Sequence, residues 1–361
     1  MREKLKIVFS ERKQVGDSVI YKGEHEKVTF FVLSHPDSSE ILVSPEIIGL
    51  DFYLRLKQPT QNILKFVSAS LHLQSVCVLN IMRGGLNFPI EESSHNIGLN
   101  IEGVSFVTTE RRTDENSSSC RITDSKITLC NDATFVIGDI VASGDTLKET
   151  VRTMVHLYSL AKLRLKRIVL ITFGTTETIR VVHEMNHEIR ESWSDFEGIT
   201  TFFYEGVFSA YNDAGITGFN TPYIDFVPYG GFISPEYRQR MINKKTAIFE
   251  KCAIYDGGDR RFEPYRHIDT LLTYWERLCV ASDRIPLPAF ITEKLGYDSH
   301  CTFDEWLRFN GYDNLTDYSL QLTVLFDNEQ DLLQSFSQST FAQLCMSRCK
   351  ELKSTFRNLH D

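Results

Sequence analysis

The chain has 361 residues, 42% of them hydrophobic, with 39 basic against 48 acidic side chains and a formal net charge of −9. That length buries a substantial core and is long for one domain, so a catalytic domain with an appended unit is the natural expectation. The acidic balance argues against a surface built for nucleic acid or for anionic membrane.

The amino-terminal MREKLKIVFSERK scatters charges through its length, and no later segment offers roughly eighteen uninterrupted apolar residues, so the chain reads as soluble and cytoplasmic. Eight cysteines (Cys77, Cys120, Cys130, Cys252, Cys279, Cys301, Cys345, Cys349) include no CxxC pair and read as packing residues of a reducing compartment. Residues 1–45 begin polar and then show strand patterns at 27–33 and 41–43. Pro45 and Pro59 punctuate the next stretch, and Ile63, Leu64, Phe66, Val67 and Leu71 mark a helix over 60–71.

The first chemically suggestive stretch is VCVLNIMRGGLNFP, residues 76–89, an apolar strand over 76–81 that empties into Arg83-Gly84-Gly85. Glycines let a backbone approach an anion closely, and an arginine supplies charge-assisted donors. A strand over 103–109 follows. The polar run 110–119, which contains Arg111 and Arg112, reads as a mobile hairpin tip before a further strand at 126–130.

Residues 134–147, TFVIGDIVASGDTL, organise the rest. Phe135, Val136, Ile137 and Ile140 surround Asp139, and Ala142-Ser143-Gly144-Asp145-Thr146 then make a tight loop. Leu147, Val151, Met154 and Tyr158 recur at spacings of a helix with one apolar stripe. A strand, a small-residue loop and a helix N-terminus in succession present backbone N–H groups and the positive end of a helix dipole to an anion. Read without a ligand, the same stretch is a strand–turn–helix of good turn chemistry.

Beyond it, 167–173 is an apolar run suited to a central parallel strand, with Thr175 or Thr176 placed to cap the next helix. That helix carries His183-Glu184-Met185-Asn186-His187, the HExxH zinc-protease pattern, but the charged Glu188 and the missing HxxGxxH continuation favour a solvated polar face. A strand over 200–211 opens into a glycine- and proline-rich stretch whose rings (Phe219, Tyr223, Phe226, Tyr229, Phe232) suit either base stacking or packing of an irregular loop. Asp256-Gly257-Gly258-Asp259-Arg260 is the last chemical-looking segment. From Tyr265 onward the pattern is helical.

Residues 135–146 resemble the phosphoribosyl pyrophosphate signature of type I phosphoribosyltransferases, in which an aliphatic run ends in two adjacent acids before a threonine- and glycine-rich loop. The resemblance covers about 76–208 and implies a type I phosphoribosyltransferase fold: an α/β core with a mostly parallel sheet flanked by helices. The organisation expected is a 1–45 extension contributing hood strands, a core over 46–250 and an appended, mainly helical region over 251–361. It implies phosphoribosyl pyrophosphate as ligand, with Mg²⁺, and transfer of phosphoribosyl to or from a nucleobase or other acceptor. Asp139 would hold the ribose hydroxyls, Ala142, Ser143, Gly144, Asp145 and Thr146 the 5′-phosphate, and Arg83, Gly84 and Gly85 the pyrophosphate. Arg111 and Arg112 would lie on a loop that closes over the site, a region that in this family excludes water and neutralises the leaving group. Asp256, Gly257, Gly258 and Asp259 are similar to the base-side loop of uracil phosphoribosyltransferases. One departure stands out: Gly138 occupies the place of the first acid. That departure leaves open a sensor that binds without turnover, and family relatives also occur as effectors in bacterial conflict systems. Homodimerisation, or a protein partner for the C-terminal region, is the further expectation.

Overall fold

The computed structural model describes residues 7–25, 28–114, 117–211, 225–250 and 257–358. In chain order, β1 (Val8–Val15), β2 (Ser18–His25) and β3 (Val28–Ser34) precede α1 (Pro36–Val43), α2 (Gly49–Arg55) and α3 (Lys57–Leu71). Then come β4 (Ser75–Met82), α4 (Ile90–Asn96), β5 (Asn100–Asp114), β6 (Ser117–Lys126) and β7 (Ala133–Val141). The units α5 (Asp145–Ala161), β8 (Leu165–Thr175), α6 (Thr176–Ser192), β9 (Ile199–Tyr211) and β10 (Asp225–Ile233) follow. The remainder is helical: α7 (Pro235–Asn243), α8 (Gly257–Phe262), α9 (Pro264–Ala281), α10 (Leu287–Leu295), α11 (Phe303–Asn310), α12 (Ser319–Ser335) and α13 (Gln338–Asn358).

The strands form one mixed sheet in the order β1-β2-β3-β9-β8-β7-β4-β5-β6, with β10 added beside β9. The six neighbours from β3 to β5 along that order run parallel, whereas β1–β2, β2–β3, β5–β6 and β9–β10 are antiparallel. The two faces of β7 show why: Phe135, Ile137 and Val141 enter one buried cluster with Leu147, Val151, Met154 and Tyr158 of α5, while Val136 enters the other with Ile63, Leu64 and Val67 of α3. Strands covered on both faces need continuous apolar sequence, which is how the central runs read. The fold is thus α/β with a mostly parallel sheet flanked by helices, followed by a helical C-terminal region. No helix among the described residues is long and apolar enough to cross a membrane.

Three local expectations are corrected. Residues 41–43 end helix α1 instead of forming a strand, because the chain enters a helix earlier: Pro36 occupies the first turn, and the His35 Nδ1 accepts the Asp37 N–H at 3.0 Å. The polar stretch 110–119, expected as a hairpin tip, is largely paired strand: β5 and β6 stay paired out to Asp114 opposite Ser117, since cross-strand backbone bonding needs no apolar side chains. The strand expected over 126–130 has already ended at Lys126, and the Thr128 N–H turns aside to the Ser105 hydroxyl at 3.0 Å. Part of the glycine-rich aromatic segment also forms a strand, β10, in which Phe226 stacks on Phe208 at 5.9 Å and Phe232 packs on Phe9 at 3.7 Å. Phe219 and Tyr223 lie outside the described residues. The N-terminal strands expected as a hood extension are hydrogen-bonded into the main sheet through β3 and β9.

Buried ion pairs tie the C-terminal helices to the rest. Arg238 of α7 meets Glu329 of α12 at 2.8 Å and the Tyr297 and Tyr312 hydroxyls at 3.1 and 3.2 Å. Arg348 of α13 lies between Glu250 (3.0 Å) and Glu46 (2.8 Å), and the Trp275 indole N–H donates to Glu250. Arg260 of α8 is fully buried and donates to the carbonyls of Ile41, Ser44 and Ile47 at 2.7 to 2.8 Å. Removing one partner from such a set strands an opposite charge in the interior, which costs far more than loss of an exposed pair.

This junction sets a pH dependence. The buried His267 donates its Nε2–H to the Pro45 carbonyl at 2.8 Å, and burial, together with the Arg260 charge, pushes its pKa down to about 3. Unfolded chain takes up a proton there below about 6.5 and folded chain does not, so stability present above that value is lost as pH falls towards 3. Burial opposes ionisation of Glu46, but Arg348 and Lys244 outweigh it and hold the carboxyl at about 2; its contribution, present above the usual carboxylate value, is lost as pH falls through 2. Urea unfolding between about pH 7 and pH 4 should therefore show a loss on the order of a few kcal/mol, and His267→Gln should flatten that slope. An unchanged slope in the variant would assign the pH dependence elsewhere.

Candidate functional site

The site forms where adjacent parallel strands end. β4 and β7 pair with Asn80 opposite Gly138, and β7 pairs with β8 with Asp139 opposite Thr172. The loops that leave these strands therefore meet at one edge of the sheet, the position where ligands bind in open α/β sheets.

After β4 the chain passes Arg83 into a single 3-10 turn, Gly84–Asn87, and the Met82–Arg83 peptide is cis. The bare Cα of Gly84 lies against the Asp139 carboxylate: a Cβ placed there would stand 2.6 Å from Oδ1. A Cβ on Gly85 would stand 3.1 Å from the Asn80 Cα and 3.2 Å from the Gly138 carbonyl oxygen. The two glycines expected at the pyrophosphate loop thus let it fold down onto the strand that carries the expected ribose acid. Asp139 itself is 7% exposed.

Gly138 points to the other face of β7. A Cβ there would meet Cβ and Cγ of Phe88 at 2.5 Å and Cδ1 of Ile90 at 3.0 Å. The place of the first acid is thus filled by apolar side chains of the segment that follows the Arg83 loop. No signal in the sequence disclosed that packing, since Phe88 lies fifty residues earlier.

The loop after β7 is built as a strand-to-helix turn. Gly144 takes φ +82°, a left-handed conformation that favours glycine, and starts α5. Ser143 donates to the Asp145 carboxylate at 2.8 Å; both are exposed, Thr146 is half-buried and Ala142 is buried. Two threonines from the next βα turn fix this loop from behind: the Thr175 hydroxyl donates to the Ala142 carbonyl at 2.5 Å and the Thr178 hydroxyl to the Val141 carbonyl at 3.3 Å. Thr175 is also the N-cap of α6, and its N–H donates to Thr178 Oγ1 at 3.1 Å. Thr175, one of the two residues expected to cap this helix, therefore also positions the candidate phosphate loop, together with Thr178, which the sequence reading did not single out.

The β5–β6 hairpin reaches this loop. Cys120 Sγ lies 3.6 Å from the Thr146 hydroxyl, and Arg111 is the cross-strand partner of Cys120 in the ladder. The side chains of Arg111 and Arg112 lie outside the described residues, but their backbone belongs to a strand of the hairpin that touches the loop.

From the C-terminal region, α8 approaches the Arg83 loop. Arg83 pairs with Asp259 at 3.5 Å and with Glu263, while Asp259, only 6% exposed, also meets Arg266 at 3.3 Å. Asp259 is thereby brought to the same edge as Arg83. Gly257 and Gly258 form the start of α8, Asp256 lies outside the described residues, and Arg260 turns away into its buried clamp. Glu263 was not anticipated; it lies four residues after Asp259, one helical turn on.

The HExxH pattern takes the solvated form. Glu184 pairs with Lys148 at 2.7 Å and with Arg180, and the exposed His187 faces Glu191 at 3.4 Å.

No family model matches the chain, and no curated protein matches it. Among solved structures, the AQ2163 protein from Aquifex aeolicus is similar over 52% of this chain and 95% of its own, at 16% identity and a TM-score of 0.37. A purine phosphoribosyltransferase from Pyrococcus horikoshii Ot3 is similar over 41% of this chain and 82% of its own, at 16% identity and a TM-score of 0.25. The hypoxanthine-guanine phosphoribosyl transferase of L. donovani is similar over 37% and 77%, at 16% identity and a TM-score of 0.29.

The packing of Gly138 makes a direct prediction. Gly138→Asp should not supply a second ribose acid; it should destabilise the fold by about 1–3 kcal/mol or more, through overpacking against Phe88 and burial of a carboxylate. Thermal and urea unfolding of the variant check this, and a variant as stable as the parent would contradict the packing.

Proposed function

We propose that the chain is a type I phosphoribosyltransferase-like enzyme that binds phosphoribosyl pyrophosphate and transfers the phosphoribosyl group to or from a nucleobase or another acceptor. The observation that carries this reading is the approach of Gly84 to the Asp139 carboxylate, which brings the two motif segments together at one edge of the sheet. Displacement at the anomeric carbon passes through an oxocarbenium-like state while pyrophosphate leaves, so the protein's task is positioning and charge neutralisation. In this reading Asp139 accepts from the ribose hydroxyls and stands near the cationic centre. The amides and hydroxyls of Ser143 to Thr146, held by Thr175 and Thr178, take the 5′-phosphate at the start of α5. Arg83 and the amides of Gly84 and Gly85 take the pyrophosphate, Arg111 and Arg112 cover it from the hairpin, and Asp259 borders the base.

The carboxylates gathered at this edge, Asp139 with Asp259 and Glu263 beside Arg83, are hard oxygen donors of the kind Mg²⁺ takes. Held by these carboxylates together with the ligand, Mg²⁺ would supply neutralisation of charge on the departing pyrophosphate. Binding of the pyrophosphate group would require Arg83 to exchange its bonds to Asp259 and Glu263 for bonds to phosphate oxygens, and release would restore them.

A second reading, a sensor of phosphoribosyl pyrophosphate or nucleotide without turnover, is favoured by one observation: the apolar filling at Gly138 leaves no room for the first acid. A role as a conflict-system effector would be compatible with either reading.

Pyrophosphate release from phosphoribosyl pyrophosphate and Mg²⁺, measured across purine and pyrimidine bases, separates them. The enzyme reading expects base-dependent release that falls roughly 10²-fold in Asp139→Asn, the scale of losing one preorganised charge contact in a transition state. Tight calorimetric binding with no release for any base supports the sensor, and absence of both binding and release contradicts the proposal.

A further inference from the structure

At the other end of β4, about 20 Å along the strand from Arg83, three ligand-type side chains converge. Cys77 Sγ, Cys130 Sγ and a carboxylate oxygen of Glu102 all lie within 4.8 Å of one another. They come from β4, β5 and the segment entering β7, and no other such trio of His, Cys, Asp and Glu occurs among the described residues. Sequence spacing could not show it, because the ligands are separated by whole strands and fit no CxxC pattern.

Each member is held by a dedicated local feature. The β4–β5 register slips at this point: Val76 faces Ile101 but Cys77 faces Gly103, which leaves Glu102 as the extra residue of a bulge. Bulges re-aim side chains, and this one lies beside the thiol. The Ser75 hydroxyl donates to Glu102 Oε1 at 2.5 Å. The Tyr158 hydroxyl clamps the Cys130 backbone from both sides, accepting its N–H at 3.2 Å and donating to its carbonyl at 3.1 Å. Gly103 lets the 127–130 segment approach, since a Cβ there would stand 2.5 Å from Thr128 Cγ2. Cys77 is buried, Cys130 half-buried and Glu102 exposed, so the trio has a closed side and a side open to solvent.

We propose that Cys77, Cys130 and Glu102 form a Zn²⁺ site with three protein ligands and a water in the fourth position. Two sulfurs and one carboxylate suit a borderline-soft, four-coordinate cation, whereas Mg²⁺ or Ca²⁺ would call for oxygen donors throughout. Binding displaces the two thiol protons to solvent and changes no oxidation state. Ser75 on Glu102 and Tyr158 on Cys130 act as the outer supports that orient ligands. The ion would fasten β4, β5 and the entry to β7, the strands that carry both motif loops, from the end away from the candidate ligand edge. This inference does not depend on the proposed function.

The test uses the full chain, stripped with chelator and kept reduced, then loaded with Zn²⁺ and weighed by native mass spectrometry, with Co²⁺ as a spectroscopic probe. One equivalent of Zn²⁺, and thiolate-to-cobalt charge-transfer bands with tetrahedral d–d absorption, are expected. Cys130→Ser should abolish both, and Glu102→Gln, at an exposed position that leaves the fold intact by circular dichroism, should weaken Zn²⁺ retention at least tenfold. Cys349→Ser, which removes a thiol on α13 next to Cys279, should change neither. The proposal is overturned if no equivalent is retained, or if uptake is indifferent to both Cys130→Ser and Glu102→Gln. It is equally overturned if a Cys77–Cys130 disulfide is isolated and the reduced chain still takes up no metal.

Discussion

The described site depends on one close approach, that of the Gly84 backbone to the Asp139 carboxylate. It exists because β4 and β7 are parallel neighbours in register, with Asn80 opposite Gly138, so that loops distant in sequence leave the sheet side by side. A side chain at position 84 would separate the loop from the acid. The same register sends Gly138 to the opposite face, where Phe88 and Ile90 close the core. The candidate ribose acid and an apolar seal therefore occupy adjacent positions on one strand, on opposite faces of one pleat.

Charge at this edge is balanced within the protein. Arg83 is exposed enough to meet a ligand, yet it is held by Asp259 and Glu263 from the C-terminal region, and Asp259 is shared with Arg266. Deeper in, Arg260, Arg238 and Arg348 are buried against carbonyl, hydroxyl or carboxylate partners and join the helices after β10 to the sheet. Because α8 carries both the buried Arg260 and the Asp259 that faces Arg83, the helical region and the candidate pyrophosphate loop are mechanically linked. A shift of α8 would alter the partners of Arg83 directly.

The sequence made the central strands legible because a parallel strand covered on both faces must be apolar throughout, as 135–137 and 168–171 are. The strand–turn–helix over 133–161 was equally legible, since small turn-forming residues stand between such a strand and an amphipathic helix. Residues 41–43 misled because three β-branched or aliphatic residues resemble a strand when the start signal at His35-Pro36-Asp37 is overlooked. The β5–β6 ribbon misled in the opposite sense, since backbone pairing does not require apolar side chains. The acidic partners of Arg83 and the ring behind Gly138 were invisible because they are tertiary facts, set by contacts across 176 and 50 residues.

The most direct test of the central claim, that the Arg83 and Ser143 loops form one site, is amide hydrogen exchange with and without phosphoribosyl pyrophosphate and Mg²⁺. Peptides spanning 83–87 and 142–147 should gain protection together, and neither should gain it in Asp139→Asn at the same ligand concentration. Protection confined to one loop, or protection of neither in the parent chain, would contradict the claim.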